Sequence, residues 1–186
     1  MARTIKFSKE EILKKSVEFI KEYGYSKLTV RELVKYIGCS TQPIFKNYAN
    51  FDKYKEDLKL YLRKDYSSFI RKYIDVEDYL YTISYAYALY AKKEPNVFFS
   101  LFMADLAGSR TVEEVLNTDR NFETIEAMVK QYKYKISLED AKKVYRDVRF
   151  YTHGIATQLC VNSIKLTDKE IKDLIKNNIE INLRGL

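Results

Sequence analysis

Apolar residues recur along this chain at intervals of three and four, with polar and charged residues between them. That period belongs to helices laid against a core; strands would alternate at every second residue. The first run, "SKEEILKKSVEFIKEYGY", puts Ile12, Ser16, Phe19 and Tyr23 on one stripe with Leu13, Val17 and Ile20 beside it. Ser8 followed by Glu11 is a capping-box signature at its start, and Gly24 tolerates left-handed geometry after its last turn. "KLTVRELVKYIGCS" predicts a short second helix, with Thr29 and Glu32 as its box and Val30, Leu33, Val34 and Ile37 as its buried face. Gly38 ends it. "TQPIFKNY" predicts a third, with Ser40 as N-cap. Pro43 is tolerated there because the first-turn amides of a helix have no intrahelical partner. Ile44 and Phe45 are its packing residues; Thr41, Gln42, Lys46 and Asn47 are polar.

From Phe51 the runs lengthen. One helix is periodic through Tyr54, Leu58, Leu62, Phe69 and Ile74, and the next stops before Pro95. Pro95 opens a further helix that Gly108 closes. Another follows with an interruption around Asn117–Asn121. Ser137 caps a long one, and Thr167 with Glu170 opens the last. The expected fold is therefore all-α, with about nine helices and no strand. Five Gly and two Pro in 186 residues leave too few turns for a β-sandwich.

Composition narrows the function classes. Apolar residues make up 46% and charged residues 32%, a globular balance. No apolar run approaches the roughly 18 residues of a membrane span, and the N-terminus lacks the apolar core of a secretory leader, so a cytoplasmic location is expected. Cys39 and Cys160 have no metal-ligand spacing, and the chain has one histidine. Walker, dinucleotide-glycine and HExxH motifs are absent. The expectation is a protein that is not an enzyme and uses no cofactor or metal. The net charge of +7 is unevenly placed: residues 1–55 hold 12 Lys and Arg against 6 Asp and Glu, and the remainder 21 against 20. A basic head on a nearly neutral body points to a polyanion partner.

Two short helices joined by a glycine-containing turn form a helix-turn-helix pattern. With them, "FIKEYGYSKLTVRELVKYIGCSTQPIFKNYANFDKYK" resembles the DNA-binding domain of TetR-family transcriptional regulators, through Gly24, Thr29, Leu33, Gly38, Ser40, Ile44, Phe45 and Tyr48. "FYTHGIATQL" resembles a His-Gly-containing helix of one branch of that family. The resemblance implies an N-terminal three-helix DNA-binding domain over 1–50, and a larger helical effector-binding and dimerisation domain over 51–186. Two positions depart from the family pattern. Val34 stands where Ala is common, and Phe51 where a phosphate-gripping Lys is common, leaving Lys53 or Lys55 to take its place.

Physical chemistry assigns roles within that head. Thr29 and Thr41 start helices, whose free amides suit a phosphate. Lys46 and Tyr48 can reach the backbone; Gln42 can pair with adenine, and Asn47 with base edges or phosphates. Pro43 and Phe45 offer apolar faces to thymine methyls. Arg31 reaches guanine at the corresponding position of some family members, Ser40 sits in the turn, and Arg3 and Lys6 add charge from the N-terminal arm.

Single helix-turn-helix modules usually act as two-fold dimers. By the resemblance, the last two helices pair copies through Val148, His153, Gly154, Ile155, Leu159, Ile171, Leu174 and Ile175. The aromatic middle helices suggest a cavity for a small apolar or cationic effector, lined by Tyr81, Tyr85, Phe98, Phe102, Met103, Met128, Tyr132 and Tyr151. The resulting expectation is a homodimeric repressor released from a double-stranded DNA operator by the effector. The alternative is a helical adaptor with a basic surface and no sequence-specific DNA binding.

Overall fold

The computed structural model describes residues 7–104, 109, 111–131 and 136–184. Among them the chain forms ten α-helices, two 3₁₀ turns and no strand. In order they are α1 (Lys9–Tyr23), a 3₁₀ turn (Tyr25–Lys27), α2 (Val30–Ile37), α3 (Gln42–Asn47), α4 (Phe51–Arg71), a second 3₁₀ turn (Val76–Asp78), α5 (Tyr79–Lys93), α6 (Pro95–Phe102), α7 (Val112–Leu116), α8 (Asp119–Gln131), α9 (Leu138–Cys160) and α10 (Asp168–Arg184). The interruption expected near Asn117 divides one expected helix into α7 and α8, giving ten rather than nine. The closing role expected of Gly108 lies outside the described residues.

Most helix starts follow from local chemistry. At α1 the Ser8 hydroxyl accepts from Glu11 N at 3.2 Å while the Glu11 carboxylate accepts from Ser8 N at 2.7 Å. Thr167 and Glu170 repeat the arrangement at α10, and Ser137 Oγ accepts from Asp140 N at α9. Each such cap satisfies amides that the first turn leaves unpaired. At α2 the Thr29 hydroxyl accepts from Glu32 N at 3.1 Å.

The chain packs as two compact units: Met1–Ser67 with Glu94–Ala107, and Ser68–Lys93 with Gly108–Leu186. In the first, α1 packs against α2, α3 and α6, and Ile12, Ile20, Leu33, Ile44, Leu58 and Phe98 are fully or almost fully buried. The Tyr54 hydroxyl donates to Ser16 Oγ at 2.7 Å, which donates onward to Ile12 O at 2.6 Å. This buried polar chain is thereby satisfied where α4 crosses α1. In the second unit, α5 packs on α9, and α8 and α10 complete the core. Ala86, Ala88 and Ala91 keep the α5 surface low, so neighbouring backbones can approach it.

Candidate nucleic-acid interface

The turn before α3 is set by Gly38, whose φ of 77° and ψ of 37° are left-handed. A side chain would strain that conformation, which glycine adopts freely. Gly38 N and Cys39 N both donate to Val34 O, at 2.9 and 3.0 Å, closing α2 and redirecting the chain into α3. Burial of the Cys39 thiol raises its pKa.

α3 is anchored by Ile44 (1% exposed) and Tyr48 (4%). Gln42, Phe45 and Lys46 face the other way, and Thr41 beside them is also exposed. Phe45, expected both to pack and to offer a face to thymine methyls, is 55% exposed and so does not pack. One residue along a helix is a rotation of about 100°; Ile44 holds the inward position, so its neighbour is turned out. Ser40 is not the cap. Ile44 N and Phe45 N both donate to Thr41 O, which makes Thr41 the cap residue, and with φ −72° and ψ −16° it makes no side-chain cap bond. Pro43 falls in the first turn, as expected.

Two residues expected to meet DNA are committed elsewhere. The Asn47 amide donates to Pro43 O at 2.7 Å and Phe7 O at 3.3 Å, tying the segment before α1 to α3. Tyr48 packs edge-on against Tyr54, with Lys9 over its ring at 5.0 Å. Its buried hydroxyl is held away from solvent, and that burial pushes its pKa up to about 12. Tyr48 is therefore a core residue. By contrast Gln42, Lys46 and Arg31 are exposed, and among the described residues the Gln42 side chain makes no hydrogen bond and neither cation an ion pair. Lys53 is exposed but paired with Glu56 at 2.8 Å. Asn50, which sequence reasoning overlooked, accepts from Lys53 N through its side chain at 2.9 Å and starts α4; an Asn just before a periodic run was the available signal. Phe51 stacks on Tyr54 at 5.0 Å, with Lys55 over its ring at 5.3 Å. Arg3 and Lys6 lie outside the described residues.

In the second unit, most of the residues expected at a dimer interface form the interior of the single chain. Val148, Ile155, Leu159, Ile171 and Ile175 are at most 9% exposed in one cluster. Their stripes on α9 and α10 turn inward because each chain must first bury its own core. His153 also looks inward, its Nδ1 lying 2.8 Å from the Tyr87 hydroxyl on α5. The outward face carries an apolar groove of about 360 Å³, lined by Phe150, Tyr151, Gly154, Gln158, Ile164 and Leu174 among others. Only Gly154, Ile155 and Leu174 of the expected interface set reach it. Phe150 and Ile164 were missed.

No family model matches the chain, and no curated protein matches it by sequence. Solved structures do match by shape. A TetR-like transcriptional regulator from Rhodococcus sp. RHA1 aligns over 100% of both chains, with a TM-score of 0.66 and 11% identity. A TetR variant from Acinetobacter baumannii AYE, solved in complex with minocycline, aligns over 97% of this chain and 98% of its own, with a TM-score of 0.61 and 16% identity. The fold is that of the TetR-like regulators. In that TetR-like frame α2, the Gly38 turn and α3 are the helix-turn-helix the sequence predicts.

The aromatic set expected to line an effector pocket is distributed over both compact units of this TetR-like chain. Phe98, Phe102 and Met103 belong to the first, where Phe102 meets Phe98 at 4.9 Å and Tyr66 at 5.2 Å. Tyr81, Tyr85 and Met128 belong to the second. Met128 is fully buried in core, while Tyr81 and Tyr85 stack at 6.4 Å beneath Lys176 and Lys172. Tyr151 lines the α9–α10 groove instead. Tyr132 lies outside the described residues. Among the described residues no group of His, Cys, Asp or Glu could hold a metal, and no helix is long and apolar enough to cross a membrane.

Proposed function

We propose that the protein is a dimeric, sequence-specific DNA-binding regulator of transcription that acts in the cytoplasm and catalyses no reaction. The observation that carries this reading is the outward face of α3, where Gln42 and Lys46 are exposed with no partner among the described residues beside an exposed Phe45. The ring is not informative by itself; its place between an uncommitted amide and a free ammonium group is what supports the reading. The three together match what a major groove offers: donor–acceptor edges for the amide, thymine methyls for the ring, and phosphates for the cation. Thr29, Thr41 and Lys53 supply phosphate contacts at the margins and Arg31 a guanine contact, with Pro43 beside Phe45 and Ser40 in the turn.

Two copies reading two half-sites give the affinity that one short helix lacks. The outward groove on α9 and α10 joins them. The reading includes repression with release by a small apolar or cationic effector, and a solved neighbour that holds minocycline supports a small-molecule ligand. Such an effector acts by binding more tightly to a dimer whose two α3 helices are wrongly spaced for DNA.

The test is selection of bound duplexes from a random pool, followed by titration with salt. A shared, inverted-repeat sequence is expected, with affinity falling steeply as salt rises. Binding that is equally tight to every duplex would support the alternative of a basic adaptor.

A further inference from the structure

Phe19 and Tyr23 lie one turn apart on α1, and Glu32 lies one turn before Lys35 and Tyr36 on α2. Residues three and four apart share a helix face, and α1 packs on α2, so the two faces meet. With Lys27 from the 3₁₀ turn between the helices they line a cleft of about 450 Å³. No residue of α3 lines it, and it belongs wholly to the first compact unit.

The interior of the cleft is aromatic. Phe19, 4% exposed, is the floor; Tyr23, 50% exposed, and half-buried Tyr36 are the walls. The three rings touch in a closed triangle. Tyr36 meets Phe19 at 5.4 Å and Tyr23 at 6.0 Å, both edge-on, and Phe19 meets Tyr23 at 5.0 Å. Such edge contacts are the preferred geometry of aromatic pairs, and the rings so fixed leave a shaped apolar surface open to solvent. The volume falls in the range of small-molecule sites.

The rim sets the charge of the occupant. Lys15, Lys21 and Lys53 of the same unit each hold a carboxylate, at 2.6, 3.1 and 2.8 Å. Lys27 and Lys35 form no ion pair among the described residues, although Glu32 stands one turn from Lys35. Two unpaired ammonium groups against one carboxylate leave the rim positive. A duplex phosphate would answer the lysines but not the rings, because the faces of its bases are stacked within the helix. A flat ring carrying a carboxylate answers both, through ring contacts and charge-assisted hydrogen bonds.

We infer that this cleft binds a small aromatic carboxylate, its ring against Tyr23 and Tyr36 and its carboxylate between Lys27 and Lys35. Binding here depends on neither the DNA reading nor the dimer reading.

The experiment is calorimetric titration of the full chain at low salt with 2-naphthoate, the neutral 2-naphthamide and the non-aromatic cyclohexanecarboxylate, with amide NMR spectra locating the shifted residues. 2-Naphthoate is expected to bind with a dissociation constant on the order of a millimolar or tighter, shifting the amides of Phe19, Tyr23 and Tyr36. The other two are expected to bind about fivefold more weakly or worse. The double variant Lys27→Ala, Lys35→Ala changes two exposed side chains and is expected to fold and to bind 2-naphthoate no better than 2-naphthamide. Tyr36→Ala is expected to lose both ligands; should it fail to fold, the lysine variant still decides. Absence of 2-naphthoate binding, or shifts confined to the second compact unit, would overturn the site. Equal affinity for all three probes, or a lysine variant that binds 2-naphthoate as the wild type does, would overturn the ligand class.

Discussion

Two surfaces of this protein leave phenyl rings in water, and their surroundings differ. On α3, Phe45 stands among Gln42, Lys46 and Thr41, all exposed. On α9, Phe150 and Tyr151 stand around Gly154 with no charged side chain in the groove. An exposed ring alone does not say what covers it. The neighbours do. A free cation and an uncommitted amide suit a polyanion whose edges carry hydrogen-bonding groups, and an uncharged groove suits an apolar partner surface. In the proposed reading the same residue type serves two partners, distinguished by the charge placed beside it.

Changing those neighbours tests the contrast. The largest effect is expected from Phe150→Asp, which puts a carboxylate into the proposed interface. Self-association is expected to weaken at least a hundredfold, about 3 kcal/mol, in sedimentation equilibrium. An unchanged dimer would place the interface elsewhere. Gln42→Ala comes next, with a loss of about 1–3 kcal/mol on the preferred duplex and relaxed choice at one base pair, read by competition binding. It is expected to leave the dimer intact. Tyr54→Phe removes the buried hydroxyl bond to Ser16 and is expected to cost about 1 kcal/mol in urea unfolding. Base preference is expected to be unchanged, which separates holding the head together from reading with it.

The smallest effect concerns pH. Burial, then nearby Arg149, holds the His153 imidazole below its ordinary 6.5. The unfolded chain therefore takes up a proton near pH 6.5 that the folded chain refuses. Stability is expected to fall as pH drops below 6.5, levelling off once the folded imidazole also protonates. His153→Gln is expected to flatten that slope in unfolding curves collected from pH 5 to 7.5, and an unaltered slope would assign it to another group.

Features written within a few residues were legible in the sequence. The Ser8–Glu11 and Thr167–Glu170 boxes, the Gly38 turn and Pro43 in the first turn of α3 each follow from a local backbone need, and the all-α fold followed from periodicity. What the sequence left ambiguous was which way a face points. Ile44 and Phe45 are adjacent and both apolar, and only packing against α1 decides that the isoleucine goes in. The same ambiguity on α9 and α10 sent Val148, Ile171 and Ile175 to an expected interface when they build the protomer's own core. Asn47 has the chemistry of a base reader, but a carbonyl four residues back and another at Phe7 lie closer than any groove. Aromatic content does not single out an effector site, because it does not distinguish a filled core, such as that around Met128, from a cavity.

The central claim is that the outward face of α3 reads DNA. Its most direct test is the affinity of the doubly substituted Gln42→Ala, Lys46→Ala protein for the selected duplex and for a scrambled one, measured by fluorescence anisotropy at several salt concentrations. The account predicts that the preference between the two duplexes collapses and that the slope of log affinity against log salt shrinks by about one per half-site. A double variant that keeps the wild-type preference and slope would contradict it.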